Sequence, residues 1–153
     1  EGTNGVQSQD LIGRKTIKCN GEFIAEYIEE IRDFANGLDT DLNFIKDATL
    51  DIATEVDMIT QHILERAKEN ADFANAAAVE YLHVVGLLSF SYMFARIANA
   101  AKNKQGQFYQ DKLALTHYFI QRLLPDLNAR VAKIKAGAEV IMNFSEDYFT
   151  NQA

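Results

Sequence analysis

The residues best able to do chemistry sit in two places. Glu80 and His83 stand three apart in "EYLH", which puts both on one face of a helix. In a four-helix bundle, Glu-x-x-His is half of a di-iron site, and the other half needs a second such motif and a Glu from each remaining helix. Position 59, three before His62, is Ile, and position 114, three before His117, is Ala. With no second motif, the spacing points to a polar pair satisfied inside a helical core, and no metal is expected. Asp57, Gln61 and His62 read as a solvated face. The second place is the opening stretch, "EGTNGVQSQDLIGRK". Thr3 or Asn4 can cap a short helix, and Asn4 with Gln7 has the spacing of a capping box. That helix is predicted to run to Ile12 and stop at Gly13, with Arg14 and Lys15 near its negative end. Glu1 then lies just outside a helix N-terminus. The geometry suits an anion-binding or catalytic carboxylate and suits a frayed terminus equally well.

The elements that must position these residues are helical. From Phe23 the apolar positions Ile24, Tyr27, Ile28, Ile31, Phe34, Ala35 and Leu38 follow the three-and-four spacing of one helix face. A second helix is predicted from about Leu42 to about Asn70, with the stripe Ile45, Ala48, Ile52, Val56, Ile59 and Ile63. A third, from about Ala71 to Lys104, begins amphipathic and becomes apolar on every side between Tyr81 and Ala95. Such a helix is expected to be enclosed by others. At 15 residues the run is short of the ~20 needed to span a bilayer, so no membrane span is expected. Ala76, Ala77, Ala78 and Gly86 would let neighbouring helices come close. A fourth helix, from about Phe108 to Ala136, carries Leu115, Phe119, Leu123, Leu127, Val131 and Ile134, and Pro125 should kink or split it at Leu124. After Gly137, "AEVIMNFSEDYF" reads as a last short helix. No segment alternates like a strand. The fold class is all-α: an antiparallel bundle of about four long helices, with a short N-terminal and a short C-terminal helix.

Composition narrows the partners. The 153 residues are 48% hydrophobic and 24% charged, with a net charge of -7, an ordinary globular balance. So acidic a chain, with no basic run, gives no grip on a phosphate backbone, and nucleic acid is not expected as a partner. The single Cys19 leaves no pair for an internal disulfide and fits a reducing compartment. Neither a Gly-rich phosphate loop, nor a Ser nucleophile elbow, nor Cys-x-x-Cys is present. Phe90, Tyr92, Phe94, Tyr118 and Phe119 read as packing residues.

The opening stretch resembles the acyl-CoA dehydrogenases, in the form found in a bacterial branch with an added C-terminal helical domain, similar to the methylmercaptopropionyl-CoA dehydrogenases. The resemblance rests on Glu1 to Gln7, then Asp10, Leu11, Gly13, Arg14 and Lys15. It extends through "EYLHVVGLLSFSYMFARIANAA", "LLPDL" and "AGAEVIMNF". It implies an enzyme that removes the α and β hydrogens of an acyl-CoA thioester to give the enoyl-CoA, with FAD as cofactor. By motif match Glu1 is the catalytic base, Gly2 stands near the thioester carbonyl, and Thr3, Asn4 and Gly5 touch the adenosine end of the flavin. It further implies that the chain is the C-terminal part of a longer enzyme and is inactive and unable to hold FAD alone. Residues 1–20 would be the tail of the catalytic region and 21–153 the C-terminal bundle domain. The expected partners are acyl-CoA, an electron-transferring flavoprotein and further copies of the chain, in the cytoplasm. The alternative is a free-standing helical interaction domain without catalysis.

Overall fold

A computed structural model describes residues 3–145 and 148–149 of the chain. The architecture is all-α. Its spine is a hairpin of two long helices, α3 (Asn43–Glu69) and α4 (Ala71–Ala101). They are joined by the single residue Asn70, whose extended backbone turns the chain and whose Oδ1 accepts the Asp72 amide at 2.9 Å, an N-cap. Against this hairpin pack α1 (Asn4–Gln9), α2 (Glu22–Asn36), α5 (Gln107–Tyr118) and α6 (Asp126–Lys135). One further turn, α7 (Glu139–Met142), follows Gly137.

The expected stripes form the core. Ile28 and Ile31 of α2, Ile52, Val56, Ile59 and Ile63 of α3, and Tyr81, Val84 and Leu88 of α4 are all at most 1% exposed. Each such aliphatic side chain contributes about 1.5–3 kcal/mol by leaving water. A smaller cluster of Leu38, Leu42, Ile45, Ala95 and Ala98 closes the other end.

Four expectations are corrected. The first helix does not stop at Gly13 but continues as a π-helix, Asp10–Ile17. Gly ends a helix when it adopts a positive φ, and here that conformation falls on Asn20 (φ 48°) and Gly21 (φ 79°). A Cβ at Gly21 would lie 3.0 Å from Leu64 Cδ1, so the chain reverses where only Gly fits. Nor does a capping box form: Asn4 is already the first helical residue, and Thr3, at the cap, makes no side-chain bond.

The third correction concerns α4. Ala77 and Ala78 are buried in close contact, but no atom lies within 4 Å of where a Gly86 Cβ would stand. Phe90 is 59% exposed and Met93 40%, so the helix is enclosed on one face only. By length and composition α4 is also apolar enough to cross a bilayer, with a mean hydropathy of 1.3 over its best window; its inner face is the middle of the bundle core.

The fourth correction is at the C-terminal end, where the expected helix after Gly137 is interrupted: α7 ends in a turn at Asn143, Phe144 and Ser145 are not helical, and Tyr148 and Phe149 are helical again. Pro125 acts as expected. The fourth helix splits into α5 and α6 through a π-turn, Phe119–Leu123, closed by the Leu124 amide on the Phe119 carbonyl at 2.9 Å. Leu115 and Leu123 of its expected stripe face outward, while Phe119 is buried and stacks on Phe94 at 4.7 Å.

Candidate functional site

Of the residues singled out in the opening stretch, Glu1 and Gly2 lie outside the described residues. Thr3 has an extended backbone (φ -75°, ψ 134°) and its carbonyl accepts the Gln7 amide at 3.1 Å. Asn4 and Gly5 begin α1. All three are exposed, and the space where a Gly5 side chain would stand is open. They leave the backbone at the start of α1 accessible.

What holds this stretch is a face of the opening segment that repeats every four residues. Ser8, Ile12 and Thr16 are each at most 1% exposed. They are seated against α4. Ser8 Oγ donates to the Gly5 carbonyl at 2.9 Å, and Thr16 Oγ1 donates to the Leu11 carbonyl at 2.9 Å across five residues, the spacing of a π-turn. Behind them, Thr60 Oγ1 donates to the Val56 carbonyl at 2.6 Å and lies 2.9 Å from the Tyr81 hydroxyl. Since the Thr60 proton is used, Tyr81 is the donor to Thr60.

Burial pushes the Tyr81 phenol above its ordinary value, and the neighbouring Thr60 and Thr16 hydroxyls only partly offset this. Tyr81 thus stays a neutral donor, and the joint between opening segment, α3 and α4 is satisfied without any charge. On the outer side of the segment, Arg14 grips the Asp10 carboxylate through two bonds at 2.6 and 2.9 Å, with Lys15 at 3.8 Å. The Arg14 guanidinium holds Asp10 below the usual carboxylate range. The two cations expected at a helix end are instead committed to a side chain one turn back.

The Glu80–His83 spacing does not produce a pair. Glu80 is taken by α6, with Arg130 Nη1 at 2.8 Å and Lys133 Nζ at 3.2 Å. Burial works to raise the Glu80 carboxyl, but hydrogen bonds from Lys133 and Arg130 outweigh it, so its pKa falls below the ordinary value. His83 lies half-buried in a surface groove beside Arg130 and Asp126. The solvated face expected at residues 57–62 is likewise divided. Asp57 pairs with Arg32 at 3.1 Å, while His62 turns its ring edge-on to Phe73 and its Nε2 is buried without a hydrogen-bond partner among the described residues. His117 stacks on Phe44 at 4.0 Å. Among the expected packing aromatics, Tyr92, Phe94 and Phe119 pack, whereas Phe90 and Tyr118 are exposed.

The residues that sequence reasoning missed are the buried hydroxyls Ser8, Thr16 and Thr60. Their signal was the four-residue repeat Ser8, Ile12, Thr16, in which polar members hide among apolar ones.

The family profile described as "Acetyl-CoA dehydrogenase C-terminal like" matches residues 27–145, from the second turn of α2 to just past α7. The chain belongs to this family. Among curated proteins it is similar to 3-methylmercaptopropionyl-CoA dehydrogenase of Ruegeria pomeroyi, at 26% identity over 95% of this chain and 26% of the relative. It is also similar to the broad-specificity linear acyl-CoA dehydrogenase FadE5 of Mycobacterium tuberculosis, at 24% identity over 97% of this chain and 27% of the relative. The chain spans about a quarter of the length of these relatives. Both matches cover more of the chain than the family profile does and so include part of the opening segment before residue 27.

Proposed function

We propose that this chain is the C-terminal portion of a flavin-dependent acyl-CoA dehydrogenase, with residues 1–20 closing its catalytic region and 21–153 forming a supporting bundle. The observation that carries the reading is the similarity over 95% and 97% of the chain to two proteins named as acyl-CoA dehydrogenases. In this role the Glu1 carboxylate takes the α proton of the acyl-CoA thioester. Flavin, when bound, supplies the acceptor for the β hydride.

The residues at hand fit one side of such a cofactor. Thr3, Asn4 and Gly5 are exposed, and the missing side chain at Gly5 leaves open space, so a planar or phosphorylated group can approach the backbone. Glu1 needs water excluded around it to raise its pKa toward neutrality. A wall this open does not exclude water, so 1–153 alone is inactive and takes its second wall from elsewhere in the enzyme. Acyl-CoA and an electron-transferring flavoprotein are the partners on this reading, the bundle stabilises an oligomer, and the location is cytoplasmic. The test is turnover of an acyl-CoA by the longer enzyme that contains this chain. Glu1→Gln should reduce kcat by at least ~10²-fold, the scale of a lost general base, with flavin content unchanged. Undiminished turnover would remove Glu1 from the role.

A further inference from the structure

Helix α1 is six residues long, and a polar group seats it. Ser8 is the only buried residue of α1, at 0% exposure, whereas its one large apolar side chain, Val6, is 66% exposed. An amphipathic helix ordinarily seats an apolar residue, and here a hydroxyl takes that place. No side chain caps the helix at Thr3, and no acidic residue stands in its first turn, so neither of these common devices steadies that end. A helix this short has little stability of its own. Two bonds tie its first turn: the Thr3 carbonyl accepts the Gln7 amide at 3.1 Å, and Ser8 Oγ donates to the Gly5 carbonyl at 2.9 Å. The second runs from the one buried side chain to the backbone of the exposed Thr3–Gly5 stretch.

The wide turn that follows keeps Ser8 in place. Residues four apart on an α-helix drift by ~40° around its axis, so Ser8 and Thr16 would part by ~80°. The π-helix Asp10–Ile17, whose bonds span five residues, takes more residues per turn and cancels that drift. Ser8, Ile12 and Thr16 are thereby all buried against α4. Stability alone does not call for a serine at the first of these positions. Alanine fills nearly the same space, has the higher helix propensity and buries no polar group. We infer that Ser8 is a positioning residue: its hydroxyl fixes the first turn of α1, and with it the backbone of Asn4 and Gly5, in the place that receives the flavin cofactor. This role rests on the cofactor reading proposed above, not on the catalytic assignment of Glu1. A residue kept for position rather than for stability has a recognisable effect when it is lost. The bundle stays as stable as before, and binding of the group that the residue serves is weakened.

The test is Ser8→Ala in the longer enzyme that contains this chain, stripped of flavin and titrated with FAD. The dissociation constant should rise at least ~5-fold, the effect of one lost hydrogen bond. The thermal midpoint of the flavin-free protein should stay within ~3 °C of the parent. Hydrogen exchange of the flavin-free protein should quicken at the amides of α1 and not in the cores of α3 and α4. Gln9→Ala, one position along the same helix and exposed, should change none of these. Equal FAD affinity in Ser8→Ala and the parent overturns the inference and leaves the cofactor reading standing. So does weaker affinity accompanied by faster exchange throughout the bundle, since Ser8 would then belong to the core. A parent enzyme that takes up no FAD overturns the cofactor reading, and the role of Ser8 falls with it.

Discussion

The opening segment, residues 3–20, and the α3–α4 hairpin are held in opposite ways. The hairpin is bound by interdigitated aliphatic side chains, with Ile52, Val56, Ile59 and Ile63 facing Ala77, Ala78, Val84 and Leu88. Its stability is spread over many contacts, none of which fixes position alone. The opening segment buries only Ser8, Ile12 and Thr16 deeply and takes its register from a few directional bonds and two π-type contacts. Apolar burial supplies energy and is tolerant of small shifts, whereas hydrogen bonds among buried hydroxyls specify position. A segment proposed to place a carboxylate needs the second kind of attachment, and a supporting bundle needs the first.

The contrast predicts a graded response to mutation. The largest effect should come from the hairpin: Ile59→Ala, at a residue 1% exposed, should cost ~2–5 kcal/mol, read as a lower denaturant midpoint for the whole chain. Next is the junction between the two regions. Gly21→Ala forces a side chain into a left-handed conformation and toward Leu64, at ~1–3 kcal/mol. A smaller effect, confined to acid, is expected at Glu80. Its folded pKa is depressed, so the pairing stabilises the fold above the unfolded carboxyl value and is lost as pH falls through the folded one. Glu80→Gln should lower stability at pH 7 by less than ~1 kcal/mol. The thermal midpoints of variant and parent should converge as the pH is lowered below the ordinary carboxylate range. The smallest belongs to Gly13→Ala. Gly13 sits inside helical geometry with open space around it, so the change should be neutral or stabilising by up to ~1 kcal/mol. A large loss there would restore Gly13 as a helix stop.

Much of the fold was legible in the sequence because bundle helices announce themselves by period. The stripes of α2 and α3, the single-residue turn near Asn70 and the break before Pro125 all lie where spacing and ring chemistry put them. What could not be read is equally physical. A Gly marks a stop only when its φ is positive, which the sequence does not display, so Gly13 looked like an end and Asn20–Gly21 did not. An all-round apolar run says that a helix is buried somewhere, not on how many sides, so the bare outer face of α4 was hidden by the very hydrophobicity that identified its inner one. The partners of Glu80 lie 50 and 53 residues away, beyond any local spacing rule, so the nearby His83 looked like the natural mate. Around the candidate site, the identities at Thr3, Asn4 and Gly5 were visible. Their support was not, because Ser8, Thr16 and Thr60 are residue types that usually face water.

The central claim, that the opening segment takes its register from bonds of its own buried hydroxyls, is tested most directly by hydrogen exchange on Thr16→Val. That variant keeps the shape of the side chain and removes only the hydroxyl that donates to the Leu11 carbonyl. The account predicts faster exchange across residues 8–20, by the ~5-fold or more that corresponds to one lost hydrogen bond of ~1 kcal/mol, with the cores of α3 and α4 unchanged. Equal acceleration in the opening segment and in both core helices, or none in the segment, would contradict it.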